Sequence, residues 1–325
     1  MNVKALAKLA GVSPSTVSKA FSGSKEISEA TRERVFAIAR EQGCFDRYNK
    51  NKFQKKVIAV IIPETDSDYY NSFLSHIKAG LDGRAALMSV SVNGFCAERM
   101  QELYTYYTAY CHVDGVLLVD CFAELEDTSL VPTVAVGTFN RSANVTRVNV
   151  ALQKGIDQAF AYLKENGHVE VGYAGETLTS GKLEMCKSAM RRIGLPVREQ
   201  WIHVSDHRFE EAGVDAVESL LAQKKGMPTA IVAAYDYIAL GVMRALRANG
   251  YRVPQDVSVI GMDDIHVSAY PENSLSTVHS DLKQACGRAV EILFKKMENK
   301  HFAPREQILI DSQFLARSSC GKARG

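Results

Sequence analysis

From residue 57 onward, short runs of apolar residues alternate with longer stretches in which apolar residues recur every three or four positions. Runs of the first kind predict β-strands, and stretches of the second kind predict amphipathic helices. The predicted strands are 57–62, 88–92, 113–119, 132–137, 169–174, 201–204, 229–234 and 257–261. The predicted helices lie near 70–87, 97–111, 151–166, 182–193, 209–224, 236–249 and 281–299. Such alternation is typical of doubly wound parallel sheets, and eight strands over this length favour two stacked sheets.

The first 56 residues follow a different pattern, with three short segments that each place apolar residues on one helical face. The first segment covers 3–10, and Gly11 ends it, since glycine readily adopts the positive φ that a tight turn needs. Ser13 is a typical helix N-cap and Pro14 suits the first helical position, so a second helix begins there. A third helix is predicted over 28–42.

The residues at the contact and turn between the first two helices predict a helix-turn-helix. Ala7 allows the helices to cross closely, Gly11 forms the turn, and Val17 packs the second helix onto the first. A second helix held in this way enters the major groove of DNA with its N-terminal residues against base edges. The alternative is an ordinary bundle of three small helices.

Composition sets the broad class of the protein. The chain has 325 residues, of which 46% are hydrophobic and 23% are charged, with a net charge of +2. These values exclude disordered, collagen-like and coiled-coil chains, and the length predicts two or three folding units. Because no apolar run of about 18 residues and no signal-peptide core occur, we expect a cytoplasmic protein without a membrane span.

The small net charge hides a strong asymmetry. Residues 1–57 hold twelve lysines and arginines and five acids, a net charge of +7, while the remainder carries −5. A basic segment on a mildly acidic body is typical of a protein that binds a polyanion. Together with the three predicted helices, this charge favours DNA binding over a solvated basic tail.

The sequence gives no indication of metal or enzyme chemistry. Its seven cysteines form no CxxC pair and no zinc-knuckle spacing, which predicts reduced thiols. The motifs of P-loops, zincins, serine hydrolases and dinucleotide-binding folds are absent. We therefore expect no metal, no cofactor and no catalytic activity.

The predicted helix-turn-helix also carries a recognisable signature. The core Ala-Gly-Val-Ser-x-x-Thr-Val-Ser lies within 3–19, and Ser-x-x-Thr-Arg-Glu-Arg-Val follows over 28–35. This pattern resembles the DNA-binding head of the lac repressor (LacI/GalR) family. The resemblance implies that Pro14 and Ser15 occupy base-reading positions and that Lys19 stands where the family usually has arginine. The implied DNA-contacting residues are Ser13, Pro14, Ser15, Thr16, Ser18, Lys19, Arg32 and Phe53.

Residues 46–56 would form the hinge, and here the sequence departs from the family. The family's hinge begins with Pro-Asn, has an alanine in mid-helix and carries a leucine that inserts into the minor groove. Phe53 falls at the leucine position, and an aromatic ring also wedges between base steps. Lys50 replaces the small residue at which two hinge helices would cross. The alternative is a flexible basic linker.

The rest of the chain is similar to the effector domain of the same family, which looks like a periplasmic sugar-binding protein. The matching motifs lie at 113–118, 166–175, 236–241, 259–264 and 314–319. The resemblance implies two subdomains of doubly wound parallel sheet, with chain crossovers near 151, 280 and 310. The implied boundaries are 1–45 for the helix-turn-helix head, 46–56 for the hinge, 57–150 with 281–309 for the N-subdomain, and 151–280 with 310–325 for the C-subdomain.

An effector site is expected between the subdomains, because ligands of doubly wound folds bind beyond the carboxyl ends of strands. Asp263 is the strongest candidate, since a carboxylate in a cleft accepts two sugar hydroxyls or pairs with a ligand cation. Phe73 would form a stacking wall, with a core aromatic as the alternative, and His207 would be a lid residue, with a surface histidine as the alternative. The candidate effector-binding residues are Phe73, Asp120, His207, Tyr235, Asp263 and Ser280.

Three family positions for binding sugar hydroxyls are changed. Ala151, Leu183 and Tyr235 stand where the family usually has aspartate, arginine and asparagine, and Lys182 lies beside the second of them. Loss of such groups changes the ligand class. The open interpretations are a less polar or differently charged effector, a shift of the alignment register, or a protein corepressor in place of a small molecule.

The sequence thus predicts a transcriptional repressor that dimerises through its effector domains and binds a pseudo-palindromic operator in double-stranded DNA. A small-molecule effector (a sugar, a sugar phosphate or another metabolite) would control it by shifting the subdomains. One alternative is a global regulator or activator controlled by a protein corepressor. The alternative from another class is a cytosolic small-molecule-binding protein whose basic head is incidental, which the helix-turn-helix signature disfavours.

Overall fold

The chain divides into two compact units, each with its own packed core. The computed structural model describes residues 2–48, 55–111, 113–125, 131–223, 226–271, 274–298 and 306–324. The first unit, called the head, comprises Met1–Lys56 with Ala85–Leu87, and the second, called the body, comprises Val57–Arg84 with Met88–Gly325.

Short helices form the head. They are α1 (Val3–Ala10), α2 (Pro14–Phe21), α3 (Glu29–Glu41) and α4 (Phe45–Tyr48). The side chains of Asn2, Ser13 and Ser28 cap the first three helices by accepting hydrogen bonds from backbone N–H groups of the first turn. Gly11 ends α1 with a φ of +63°. The predicted helix-turn-helix is confirmed.

Close packing between α1 and α2 fixes the second helix of the head. Ala7 and Val17 are 2% and 1% exposed, so neither position has room for a larger side chain. The ring of Phe21 packs against those of Phe36 and Phe45, with centroids 5.0 and 5.6 Å apart. The aromatic cluster joins α2 to α3 and α4, and the polar N-terminal turn of α2 stays at the surface.

The body alternates strands with helices. The described strands are β1 (Lys56–Ile62), β2 (Ala86–Val92), β3 (Gly115–Val119), β4 (Thr133–Gly137), β5 (Thr146–Ala151), β6 (Val171–Glu176), β7 (Ile202–Ser205), β8 (Ala230–Ala233), β9 (Ser258–Met262), β10 (Ser276–Ser280) and β11 (Gln307–Leu315). The described helices are α5 (Asp68–Leu81), α6 (Ala97–Thr105), α7 (Leu152–Glu165), α8 (Ser180–Arg192), α9 (Phe209–Ala222), α10 (Asp236–Ala248) and α11 (Leu282–Glu298). Among the helices described, none is long and apolar enough to cross a membrane.

The strands follow the order β2-β1-β3-β4-β5-β11-β10-β9-β8-β6-β7. We call β1–β5 the first half-sheet and β6–β10 the second. The start of β11 pairs in parallel with β5, as in Ile308 opposite Val148, and its end pairs antiparallel with β10, as in Leu315 opposite Thr277. The two expected doubly wound, mostly parallel sheets are present as these halves, and β11 joins them in one continuous strand order.

The pattern of apolar runs misses three strands, β5, β10 and β11. Polar residues interrupt each of them, as in Ser-Thr-Val-His-Ser of β10 and Gln-Ile-Leu-Ile-Asp-Ser of β11. In β5 buried and partly buried positions alternate, so the strand never shows a continuous apolar run. By contrast, β3, β4 and β9 are buried throughout because they are covered on both faces. Their continuous apolar runs therefore predict them.

Two predicted helices are shorter in the structure. The helix expected to reach residue 87 ends at Leu81, because Gly83, with a φ of +81°, turns the chain into β2. The helix expected over 97–111 consists of α6 followed by a π-helical segment, Tyr106–Tyr110.

Candidate functional sites

The N-terminal turn of α2 is the exposed polar surface of the head. Ser13, Pro14, Ser15 and Ser18 are exposed, and Thr16 is half-buried. Ser13 Oγ accepts the backbone N–H of Thr16 at 3.0 Å and lies 2.7 Å from Ser15 Oγ. Because a helix start presents backbone N–H groups and the positive end of the helix dipole, this surface favours a phosphate group.

The predicted basic contacts have different surroundings. Lys19 lies in the last turn of α2 and forms an ion pair with Glu26, whose pKa this hydrogen bond lowers. Arg32 donates from Nη2 to the carbonyl oxygen of Ser24 at 2.6 Å, so it also holds the loop between α2 and α3. Phe53 lies outside the described residues.

A cleft with a cavity volume of about 290 Å³ lies where the carboxyl ends of strands from both half-sheets meet. Asp120 directly follows β3, Asp263 directly follows β9, and Tyr235 lies two residues beyond β8. All three of these predicted effector-binding residues line the cleft. Their convergence follows from the fold, since parallel strands bring their carboxyl ends to one edge of a sheet.

The other predicted effector-binding residues are not among the residues that line the cleft. Phe73 is fully buried in α5, where its ring packs against those of Tyr69 and Tyr70, at 5.3 and 6.2 Å between centroids. Both tyrosines line the cleft, so Phe73 supports its wall from behind.

His207 and Ser280 lie away from the lining as well. His207 is exposed, and its Nδ1 lies 2.8 Å from a carboxylate oxygen of Asp215, which raises the pKa of the imidazole. The next residue, Arg208, lines the cleft instead. Ser280 is buried at the end of β10, opposite Ser312 of β11.

Aromatic rings make up much of the cleft wall. Those that line it are Tyr69, Tyr70, Phe95, Phe122, Phe139, Phe209, Tyr235 and Tyr237. They come from both half-sheets, and the hydroxyl of Tyr237 donates to a carboxylate oxygen of Asp68 at 2.8 Å across the cleft. Such walls bind the flat or apolar face of a ligand.

Backbone strain is concentrated at the same place. Asp120, Phe209, Asp263 and Asp264 have φ values of +48°, +55°, +104° and +54°, although none is glycine. Such conformations cost conformational free energy in residues other than glycine, and they cluster at functional sites. Three of the four line the cleft, and Asp264 adjoins it.

Asp120, the first of three polar centres in the cleft, is a buried carboxyl group held by the loop after β4 and by α5. It accepts backbone N–H groups of Thr138 and Phe139 at 2.7 and 2.9 Å and the hydroxyl of Tyr70 at 3.0 Å. Burial raises its pKa, and these hydrogen bonds oppose the rise.

Lys182 and Asp263 form the second polar centre. Lys182 Nζ, on α8, lies 3.1 Å from Asp263 Oδ1 and donates to the carbonyl oxygen of Ala234 at 2.9 Å. The ammonium group also lies 5.7 and 5.8 Å from the ring centroids of Tyr69 and Tyr235. Burial raises the pKa of Asp263 and the charge of Lys182 opposes the rise.

Arg208 forms the third polar centre, at the start of α9. Its Nη1 and Nη2 lie 2.6 and 3.2 Å from the carboxylate oxygens of Glu64, which follows β1, and its Nε lies 3.2 Å from both oxygens of Glu176, at the end of β6. Burial alone lowers the pKa of Arg208, but the bonds to Glu64 and the charge of Glu176 raise it above its usual value. The guanidinium group thus connects the two half-sheets across the cleft.

The sequence offered only weak signals for these cross-cleft residues. Glu64 follows β1, Glu176 ends β6 and Arg208 precedes α9, and ligand-binding residues of such folds gather at these places. However, 144 residues separate Glu64 from Arg208, so the sequence does not indicate that they pair. Lys182 lies beside a position at which the family usually has arginine, and only this neighbourhood indicates a role for it in the cleft.

Comparison with known proteins covers both units. The family profile described as "Bacterial regulatory proteins, lacI family" matches residues 2–43, and the profile described as "Periplasmic binding protein-like domain" matches residues 160–320. The HTH-type transcriptional repressor CytR of Escherichia coli (strain K12) is 29% identical over 98% of this chain and 95% of its own. The ribose operon repressor of Haemophilus influenzae is 28% identical over 97% of this chain and 98% of its own.

Solved structures show the same fold. The complex of the transcriptional regulator CelR with cellobiose has a TM-score of 0.69 at 24% identity, covering 98% of this chain and 99% of that one. The lac repressor dimer bound to operator and anti-inducer has a TM-score of 0.71 at 21% identity, covering 98% of each chain. With its capped helix-turn-helix and its mostly parallel, cleft-bearing body, this chain belongs to the lacI family of bacterial regulatory proteins and is a DNA-binding transcriptional regulator.

Proposed function

We propose that this regulator is a repressor that binds a pseudo-palindromic operator as a homodimer and is controlled by a small molecule in the cleft. The observation that carries the proposal is the cleft itself, a cavity of about 290 Å³ whose wall combines strand-end carboxyl groups and aromatic rings from both half-sheets. A ligand that binds there contacts both halves and so favours one arrangement of them over another. The chain acts by binding and not by catalysis.

In the operator complex, α2 enters the major groove. Pro14 and Ser15 face base edges, because they are exposed at the first turn of the helix, while Ser13, Thr16 and Ser18 face phosphates. Lys19 and Arg32 contribute charge beside this surface, and Phe53 inserts into the minor groove. A proline at one base-reading position has no hydrogen-bonding side chain, so base readout depends on few residues.

The proposed domain boundaries follow the crossovers of the chain. The head covers 1–45, the hinge 46–56, the N-subdomain 57–150 with 281–309, and the C-subdomain 151–280 with 310–325. Two copies associate through their effector domains, which places two heads on one operator, and the protein acts in the cytoplasm where the DNA is accessible.

Operator binding is tested on the full chain with a library of genomic fragments at several salt concentrations. We expect selected fragments to share a two-fold sequence and to bind about 10³-fold or more tighter than random DNA. Ser15→Ala should relax base preference at one position of each half-site. Lys25→Ala, which removes an exposed charge beyond α2, serves as the control and should weaken binding to all sequences about equally. Affinity for DNA without any preferred site would contradict the proposal.

A further inference from the structure

The charged groups of the cleft are strongly unbalanced. Two cationic side chains, Lys182 and Arg208, line it. The carboxyl groups that line it are Glu64, Asp120, Glu176, Asp236 and Asp263. The formal charge of the lining is therefore −3 when all five carboxyl groups are ionised. A ligand enters a site in which carboxyl groups outnumber cationic groups.

Both cations of the lining already have partners. Arg208 bonds to Glu64 and Glu176, and Lys182 bonds to Asp263 and to a backbone carbonyl oxygen. Among the residues that the structure describes, none places a further cationic side chain in the cleft wall. An anionic ligand such as a sugar phosphate would have to remove a cation from its carboxylate partner, which leaves a buried charge unpaired at high cost.

The two built-in cations also show how the cleft holds a positive charge. The guanidinium carbon of Arg208 lies 5.5 and 4.6 Å from the ring centroids of Phe95 and Phe209, in addition to its carboxylate partners. The ammonium group of Lys182 is held in the same manner between two tyrosine rings and one carboxylate. Carboxylates with aromatic faces around them are the surroundings that organic cations prefer.

One carboxylate keeps capacity for a further partner. The side chain of Asp263 is 8% exposed, Oδ1 accepts from Lys182, and no hydrogen bond reaches Oδ2 from the described residues. Its backbone is held at a φ of +104° directly after β9, which aims the carboxylate into the cleft. Burial raises its pKa, as expected of an acid that lacks full compensation for its charge.

We propose that the effector of this cleft is an organic cation, an amine or guanidinium compound with a flat ring, whose charged group pairs with Asp263 and whose ring packs on the aromatic wall. The inference rests on the proposed function, since it names the ligand class of the same cleft. By the same argument we expect sugar phosphates and other anions to bind more weakly than cations.

Three compounds that share one phenol ring and differ in charge test the proposal: tyramine (+1), tyrosol (neutral) and 4-hydroxyphenylacetate (−1). Binding to the full chain is measured by calorimetry and by thermal shift, since a bound ligand raises the unfolding midpoint. We expect tyramine to bind at least about tenfold more tightly than tyrosol, and the anion to bind most weakly. Tyrosol binding as tightly as tyramine, preference for the anion, or no binding of tyramine up to about 10 mM would each overturn the proposal.

Two variants assign the preference to the cleft. Asp263→Asn should weaken tyramine about tenfold and leave tyrosol nearly unchanged, because only the charged compound loses a partner. Asp264→Asn is the matched control, since that carboxylate bonds to His279 and Arg317 and does not line the cleft. If Asp263→Asn lowers the folding midpoint, Asp263→Glu, which keeps the carboxylate, is the second variant and should retain the preference for tyramine over tyrosol. Equal effects on tyramine and tyrosol would contradict a role for charge.

Failure of this proposal is distinguishable from failure of the proposed function. If tyrosol or the anion binds best and changes operator affinity, the cleft is an effector site for another ligand class. If operator affinity responds to no cleft-directed compound while operator binding is specific, control by a small molecule is itself overturned.

Discussion

Asp236, the first residue of α10, is fully buried and accepts hydrogen bonds from the backbone N–H of Ile265 and the hydroxyls of Ser268 and Thr277. Burial, followed by the charge of Asp263, raises its pKa from an ordinary 3.8 to about 7. These bonds tie the loop after β9 to α10, so the side chain supports the cleft floor. A β-carbon at Gly261 would lie 2.2 Å from Asp236 Oδ1, which explains the glycine there.

This raised pKa predicts a pH dependence of stability. An acid whose pKa is raised on folding holds its proton more tightly when folded, so the folded state loses stability as pH rises from about 4 to about 7. In Asp236→Asn this contribution is absent, and we expect a smaller decline in the free energy of unfolding between pH 5 and pH 7 than in the unchanged protein. Urea unfolding across that range measures it. The exposed Asp206→Asn is the control, and parallel curves for all three proteins would contradict the assignment.

At the scale of helices, two glycines have opposite roles. Gly11 ends α1 in the left-handed region, with a φ of +63°, and nothing lies within 4 Å of a β-carbon added there. Gly287 lies inside α11, exposed, and also has open space around it. Sterics are therefore equal, and only the backbone conformation distinguishes the two positions.

The same substitution should thus have opposite effects at the two sites. Gly11→Ala should destabilise the head by about 1 kcal/mol, because a β-carbon is unfavourable in the left-handed region. Gly287→Ala should stabilise the body by about 0.5–1 kcal/mol, because alanine is the better helix former. Circular dichroism with urea gives both values. A loss of stability in both variants would show that space and not φ decides.

At the scale of the whole body, the ion pairs of Arg208 connect the half-sheets. The side chain of Arg208 is 32% exposed, whereas those of Glu64 and Glu176 are 9% and 2% exposed. Removing the arginine leaves two nearly buried carboxylates without their partner, which costs more than loss of a surface pair.

We expect Arg208→Met to lower the free energy of unfolding by about 1–3 kcal/mol, a value reduced from that of a fully buried pair because solvent reaches the guanidinium group. Arg252→Met is the matched control, since Arg252 is 71% exposed and pairs with Asp256 in the same unit. Its cost should stay within about 1 kcal/mol. Urea unfolding monitored by tryptophan fluorescence compares the two variants. Equal costs would mean that the cleft pair is no stronger than a surface pair.

Features that depend on near neighbours in sequence could be predicted. The caps at Ser13 and Ser28 and the turn at Gly11 follow from local chemistry, and Asp120 and Asp263 follow from their places directly after apolar strands. The conformation at these positions depends on the few residues beside them, so a single sequence is enough to predict it.

Features that depend on tertiary contact could not be predicted. Strand β10 has a mostly polar composition, yet it is largely buried because β9 and β11 flank it. The pairing of Arg208 with Glu64 joins residues 144 positions apart. The sequence also does not distinguish His207 from Arg208, the neighbour that lines the cleft, because a loop has no periodicity to orient its side chains.

The position of β11 late in the chain means that the head is synthesised well before the body can fold completely. This strand closes both half-sheets, yet it begins at residue 307, whereas the described helices of the head end at Tyr48. At translation rates of roughly 5–20 residues per second, the head is complete roughly 10–50 s before the strand that joins the two half-sheets is made. During that interval a nascent chain possesses a DNA-reading surface before it possesses the means to be regulated.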